Sequence, residues 1–192
     1  MEILITLAIL IIFILVGYVI YIKRNAVYVQ SLRDGKYYLV KKSHDSQEAA
    51  DLLALLRNNI EILANAAYNK YQIEPYKGYM DRLYKKSKGI KITENINNSK
   101  YTSYSVEKGE ELVFCIRSKI RINTIHDVNL LMYVVIHELA HIACPEYGHT
   151  PLFKDIFIKL ATLAVELKIY RKIDFNKQSE EYCGMDITDS VI

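Results

Sequence analysis

The chain begins with an uninterrupted apolar segment. Residues 3–22, ILITLAILIIFILVGYVIYI, contain no charged side chain. A helix of this length, rising about 1.5 Å per residue, spans the roughly 30 Å core of a bilayer. The pattern predicts a transmembrane anchor over residues 1–24 and a second domain over residues 25–192. A cleaved signal peptide is the alternative, but Glu2 precedes the apolar run without a Lys or Arg, and no small-x-small site follows it.

Beyond the anchor, the hydrophobic period changes from segment to segment. Residues 26–41 predict two strands joined by a turn at Asp34-Gly35. Asp45 and Glu48 resemble a capping box that starts a helix. The other predicted elements are a helix over 49–71 with one broad apolar face, a helix over 76–86 after Pro75, a loop over 89–100, a hairpin of strands 101–106 and 111–117 with Gly109 in its turn, and a helix over 151–167.

One segment is apolar on every side. Leu130 to Ile136, LLMYVVI, contains no Gly, Pro or charge, so it predicts a buried helix, with Asp127 as its N-cap. The mixture of helices and short hairpins indicates an α+β fold. The expected core is an active-site helix with backing helices and a small antiparallel sheet.

The buried helix continues into HELAH, residues 137–141. His137 and His141 are four residues apart, so they lie on one face of the helix and can bind one metal ion. Pro145 and Gly148 can end the helix and turn the chain back, which makes His149 the preferred third ligand. Cys144 is the alternative third ligand.

Zinc suits these ligands because it accepts neutral imidazole and keeps a position for water in catalytic sites. Glu138 lies beside the metal, where its carboxylate can take a proton from metal-bound water that attacks a peptide carbonyl. A donor for the tetrahedral intermediate is also needed. Tyr104, His126 and Tyr147 are candidates that the sequence does not rank.

Charge and cysteine content bear on location and partners. The net charge of +3 is too small to indicate direct nucleic-acid binding. Lys23 and Arg24 follow the apolar segment directly, so the positive-inside tendency predicts a cytosolic domain. Three cysteines at scattered spacing predict no disulfide framework, in agreement with a reducing compartment. The glycosylation sequon at Asn97 would matter only in a lumenal domain.

A local basic cluster forms a second charge feature, and a solvated face is the preferred interpretation over contact with anionic lipid or nucleic acid. It consists of Arg82, Lys85, Lys86, Lys88 and Lys91.

Four segments together resemble a known family. They are KYYLVKKSHDSQEAADLLALLR, SYSVEKGEELVFCIRSK, DVNLLMYVVIHELAHIACPEYGHTPLF and EYCGMDIT. The chain is similar to the WLM and SprT-like zinc metallopeptidases, most closely the membrane-anchored versions in large DNA viruses. WLM members place the third histidine closer to the second, whereas SprT-like members have longer gaps and a Gly-His pair followed by Phe, as in Gly148, His149 and Phe153.

The resemblance implies a zincin-like peptidase core in which His137, His141 and His149 are the zinc ligands and Glu138 is the general base. It also implies protein substrates, including proteins crosslinked to DNA. An edge strand in such folds binds the extended substrate, and one strand of the 101–117 hairpin is the candidate. The alternatives are a non-catalytic, membrane-anchored zinc-binding module and a structural virion protein.

Overall fold

A computed structural model describes residues 2–96, 102–121 and 124–192, and these form five helices and seven strands. In chain order they are α1 (Glu2–Asn25), β1 (Ala26–Gln30), β2 (Tyr37–Lys41), α2 (Ser46–Lys70), α3 (Tyr76–Ser87), β3 (Lys91–Glu94), β4 (Tyr104–Val106), β5 (Glu111–Phe114), α4 (Val128–Ala143), α5 (Pro151–Glu166), β6 (Glu180–Tyr182) and β7 (Met185–Ile187). The predicted α+β class is confirmed. The sequon at Asn97 lies outside the described residues.

The N-terminal helix is not covered by the rest of the protein. Residues Ile3–Tyr21 of α1 form a helix long and apolar enough to cross a membrane, and none of it is buried in the protein. Within residues 3–21, the leucine, isoleucine and phenylalanine side chains are exposed. A helix of this kind serves either as an anchor or as a signal sequence.

The strands form three small sheets. β1 and β2 pair as the predicted hairpin, with Ala26 opposite Lys41. The order of the second sheet is β3-β5-β4, in which β5 pairs antiparallel with β4 and parallel with β3. The prediction of a loop over 89–100 is therefore wrong at β3, and the sheet is mixed rather than antiparallel. β6 and β7 form a third hairpin in the tail.

Helix α4 occupies the centre of the core. It contacts α2, α3 and α5 on its sides and β4 along its exposed stripe. Nearly all its side chains are buried, and His137 and His141 are partly exposed. The predicted N-cap is confirmed, since the Asp127 carboxylate accepts a hydrogen bond from the Asn129 N–H at 2.8 Å.

The predicted capping box at the start of α2 is wrong. Asp45 is at the N-cap position but makes no side-chain cap, because its carboxylate pairs with the buried guanidinium of Arg117. Arg117 Nε also donates to Glu94 Oε1 at 2.6 Å, and Glu94 Oε2 accepts the Lys41 N–H at 2.7 Å. This network connects β2, the start of α2, β3 and the segment after β5.

The cysteines also contradict a prediction. Cys115, just after β5, and Cys183, in the turn between β6 and β7, form a disulfide with Cα atoms 6.3 Å apart. Cys144 is free and buried. Because disulfides persist mainly in oxidising compartments, the cysteines no longer support a cytosolic domain. That orientation now depends on the charges of Lys23 and Arg24 alone.

Replacing Arg117 with alanine should lower the free energy of unfolding by about 3–5 kcal/mol, because two buried carboxylates would lose their partner. Urea denaturation in detergent micelles, followed by circular dichroism, measures this change. Lys70→Ala is the control, since Lys70 and Glu166 form an ion pair in which both side chains are about half exposed, and its loss should change stability little. Equal effects of the two substitutions would contradict a structural role for the buried network.

The Cys115→Ala, Cys183→Ala double variant should lose roughly 4 kcal/mol of stability, because the disulfide closes a long loop in the unfolded chain. The sequence separation of the two cysteines is 68. The same urea titration applies, with Cys144→Ala as the control for loss of a buried thiol. A double variant as stable as Cys144→Ala would show that the disulfide does not constrain the unfolded chain.

Candidate metal centre

Three histidine rings converge beside the C-terminal half of α4. The Nε2 atom of His141 lies 3.1 Å from that of His137 and 3.2 Å from that of His149, and the third separation is 3.1 Å. His137 and His141 come from successive turns of α4, and His149 comes from the loop before α5. The three side chains predicted as ligands are therefore brought together and can hold one metal ion.

The spacing of these nitrogens fits a metal of the size of zinc. A tetrahedral zinc site with bonds of about 2.0–2.1 Å separates its ligand atoms by about 3.3–3.4 Å. The observed triangle is only slightly smaller. Ring nitrogens that present their lone pairs to the same point repel one another at this distance, and a cation between them would remove the repulsion.

Burial keeps the first two rings neutral. Burial, with the nearby rings of His141 and His149, lowers the pKa of His137 to about 3. Burial, followed by His149 and Lys108, lowers the pKa of His141 to about 4. Neutral imidazole is the form that binds a metal, so these two ligands are ready to bind at neutral pH.

Helix α5 supports the cluster from behind, as the sequence predicted. The Phe153 ring stacks on the His141 ring with centroids 4.2 Å apart, and it also contacts His137 and His149. Phe157, one turn further along α5 than Phe153, also contacts the His137 ring. Thr150, the N-cap of α5, accepts a hydrogen bond from the Phe153 N–H. This bond helps to hold Phe153 beside the histidines.

The loop from Cys144 to Gly148 positions the third histidine. Gly148 adopts a positive φ of 78°, which favours glycine and turns the chain back towards α4. Lys108, in the β4–β5 turn, donates to the Pro145 carbonyl at 3.0 Å, and its ammonium lies 4.0 Å from the Tyr147 ring centroid. No motif marked Lys108 as part of the site, because only the fold brings its turn to this loop.

The alternative ligand, Cys144, lies outside the cluster. It is the C-cap residue of α4 and is fully buried. The metal-ligand group in the described part of the chain contains the three histidines and not this thiol.

Glu138 lies beside the cluster with a free carboxylate. It is 7% exposed, and it has no hydrogen-bond or ion-pair partner among the described residues. Burial alone raises its pKa to about 7. A carboxylate with such a pKa can accept and release a proton near neutral pH.

Two clefts meet at the histidines, and His137, Glu138 and His149 line both. One cleft, of about 520 Å³, extends along β4 towards Tyr147. The other, of about 460 Å³, extends along the β6–β7 hairpin. Ser103 lies where the two clefts meet. Together they form one groove that crosses the cluster.

Tyr182 is a groove residue that no sequence motif marked as part of the site. It is buried on β6, its hydroxyl is hydrogen-bonded to Ser103 Oγ, and that oxygen also accepts the Cys115 N–H at 3.0 Å. Burial raises the pKa of Tyr182 strongly, and the nearby Glu138 adds to this shift. The sequence signal was its place in EYCGMDIT, a segment that contributes to the family resemblance without assigning this tyrosine a role.

Of the three candidate donors for the tetrahedral intermediate, two line the groove and one does not. Tyr104 and Tyr147 line the cleft along β4, and Tyr147 is 85% exposed. His126 is buried, its Nε2 accepts the Cys183 N–H at 3.2 Å, and it lines neither cleft. His126 therefore supports the disulfide turn rather than the groove.

The fold and site define an α+β protein that joins a helix able to cross a membrane to a three-histidine cluster able to hold a metal ion. The chain belongs to a family of viral proteins that includes the uncharacterized protein R325 of Acanthamoeba polyphaga mimivirus. The two are 41% identical over 171 residues, which cover 88% of this chain and 86% of that protein.

A second relative is more distant. The uncharacterized protein 136R of Invertebrate iridescent virus 6 is 27% identical over 163 residues, covering 76% of this chain and 91% of the relative. No family model and no solved structure matches the chain.

The metal-binding prediction is tested with two single substitutions. His149→Ala should weaken binding of added zinc by more than about 100-fold, since losing a residue that only hydrogen-bonds to a ligand already costs about 10–100-fold. Cys144→Ala should leave binding unchanged, because that thiol is buried outside the cluster. Competition with a chromophoric chelator measures both affinities. The reverse result, with Cys144→Ala losing the metal, would assign the third ligand to the thiol.

Proposed function

We propose that the protein is a membrane-anchored zinc metallopeptidase that hydrolyses peptide bonds in protein substrates. The observation that carries this proposal is the free, buried carboxylate of Glu138 beside three converging histidine nitrogens, at the floor of an open groove. A ligand cluster, a base and a groove are the three parts that hydrolysis of a bound chain requires.

His137, His141 and His149 would hold the ion. Zinc, when bound, supplies a Lewis acid that polarises a carbonyl and lowers the pKa of water. Glu138 would take a proton from the attacking water and deliver it to the leaving amine, so the carboxylate is a base first and an acid second. Its lack of a partner among the described residues leaves both oxygens available for this exchange.

The number of histidines favours catalysis over a structural zinc site. Structural sites usually have four protein ligands, whereas catalytic sites have three and keep one position for water or substrate. The cluster contains three ligands in the described part of the chain. A non-catalytic module would also have no use for an unpaired buried carboxylate, which costs free energy to maintain.

Substrate would bind along β4. This strand is at the edge of its sheet, since β5 pairs with it on one side, and it contacts α4. An extended peptide can pair with the free edge as an added strand. The buried Ser105 Oγ on β4, which has no hydrogen-bond partner among the described residues, adds a polar group at the same wall. The central position of β5 excludes it as the substrate strand.

The arrangement supports placement among the zincin-like peptidases of the SprT-like type. An active-site helix, a backing helix and an edge strand surround the groove, as the resemblance implies. The Gly148-His149 pair followed by Phe153 has a structural reason here, because Gly148 makes the turn and Phe153 packs on all three rings.

Glu138→Gln should reduce peptide cleavage by roughly 10²–10⁴-fold, the usual contribution of a general acid–base. Zinc content should stay near that of the unaltered protein, because Glu138 is not a ligand. Cleavage of denatured protein with and without chelator, together with metal analysis, measures both quantities.

The matched control is Glu146→Gln, which removes an exposed carboxylate from the same groove and should retain activity. If Glu138→Gln cleaved as fast as the control, Glu138 would not be the base. If the unaltered protein bound zinc but cleaved none of a broad set of denatured proteins, the peptidase proposal would fail.

A further inference from the structure

The β1–β2 hairpin has two different faces. Tyr38 and Val40 on the inner face are buried against α2. On the outer face, Tyr28 is 60% exposed and Tyr37 is 66% exposed. Leu32, at the turn, is 83% exposed. Tyr28 lies opposite Leu39 and Tyr37 opposite Gln30, so these side chains share one surface. We call Tyr28, Leu32, Tyr37 and Leu39 the ribbon face.

The ribbon face is bordered by positive charge. Residues 23–42 contain six basic side chains and one acidic side chain. The acidic one, Asp34, is already engaged, because its carboxylate accepts hydrogen bonds from the Tyr38 hydroxyl and the Lys36 N–H. Arg24, Arg33, Lys36, Lys41 and Lys42 are exposed, and within the described ranges none of them makes an ion pair.

The position of the hairpin directly after α1 indicates what the ribbon face contacts. β1 starts at Ala26, the residue after the last residue of α1. If α1 crosses a bilayer, the hairpin lies at the level of the lipid headgroups, and five strand residues extend about 17 Å from the helix end. Tyrosine and leucine side chains with surrounding Lys and Arg are the chemistry that suits the boundary between acyl chains and anionic headgroups.

We propose that the ribbon face binds the anionic headgroup surface of the membrane that α1 enters. The hairpin is then a second attachment point, which stops the domain from rotating freely about the end of α1 and holds the groove in a fixed orientation to the membrane. This inference depends on α1 being an anchor, and it does not depend on the proposed peptidase activity.

The basic cluster on α3 is a weaker candidate for the same contact. Lys91 already pairs with Glu111 at 3.1 Å, and Lys88 lies 4.1 Å from the Tyr84 ring centroid. Tyr84 in turn stacks on Tyr68. Two of the five basic side chains are therefore engaged within the domain, and α3, unlike the β1–β2 hairpin, does not follow the anchor directly in the chain.

Tryptophan fluorescence can test the proposal, because the natural chain contains no Trp. Full-length Tyr28→Trp and Tyr37→Trp variants would each be reconstituted in vesicles of phosphatidylcholine with and without phosphatidylserine. Brominated lipid serves as the quencher. Phe13→Trp in α1 reports insertion, and Ile73→Trp is the matched exposed control after the far end of α2.

We expect Phe13→Trp to be quenched in all vesicles. Tyr28→Trp and Tyr37→Trp should show blue-shifted emission and loss of intensity that depend on phosphatidylserine and weaken at high salt. Ile73→Trp should keep the emission of a water-exposed indole. Water-like emission from both hairpin variants would overturn the proposal. Quenching of Ile73→Trp as strong as that of the hairpin variants would also overturn it, because it would show that the whole domain lies on the membrane without specificity. An unquenched Phe13→Trp would overturn it by removing the anchor.

A charge test in the Tyr28→Trp background separates the two basic surfaces. Replacing Arg33 and Lys36 with glutamine should abolish most of the quenching that depends on phosphatidylserine. Replacing Arg82 and Lys85, which are exposed on α3, should leave it unchanged. If replacing the α3 pair reduced the quenching and replacing Arg33 and Lys36 did not, the lipid contact would belong to α3 and the ribbon-face proposal would be rejected. None of these signals requires zinc or cleavage, so a failed peptidase proposal would leave this test intact.

Discussion

The burial of α4 is the constraint on which the rest of the structure depends. A sixteen-residue helix that is apolar on almost every side must be covered on almost every side, or its exposed surface costs about 25 cal/mol per Å². Helices α2, α3 and α5 provide this cover, and β4 lies along the remaining stripe. His137 and His141 lie on that stripe. The groove is therefore where the middle and later turns of the central helix approach solvent, whereas its first turn is exposed separately at Val128.

The same burial determines the electrostatics of the site. It lowers the pKa of His137 and His141 and raises the pKa of Glu138, because the charged form of each group is disfavoured in a poorly solvated environment. A bound cation would reverse the balance for Glu138, since an adjacent positive charge favours the carboxylate. The lowered pKa values of the two histidines and the raised pKa of Glu138 thus have one physical cause, the position of HELAH at the edge of a packed core.

Local patterns allowed the central parts to be predicted. The four-residue spacing of His137 and His141, the turn chemistry of Pro145 and Gly148 and the apolar period of α5 all act within one element or one loop. The missed features depend on pairing between distant segments. β3 is a four-residue strand in a polar stretch, stabilised by pairing with β5. The Cys115–Cys183 disulfide and the buried Arg117 network likewise join segments far apart in sequence.

These long-range connections explain how the two walls of the groove are held. One wall, β4, is fixed by sheet hydrogen bonds to β5 and by Gly109, whose turn packs against Ile142 so closely that an added Cβ would lie 3.1 Å from its Cδ1 atom. The other wall, the β6–β7 hairpin, makes no sheet pairing with β4 among the described strands. It is attached through the disulfide to the segment after β5 and through Tyr182 to Ser103. One wall is therefore attached to β5 and the other to the residue that follows β5. This shared support determines the width of the groove at Glu138.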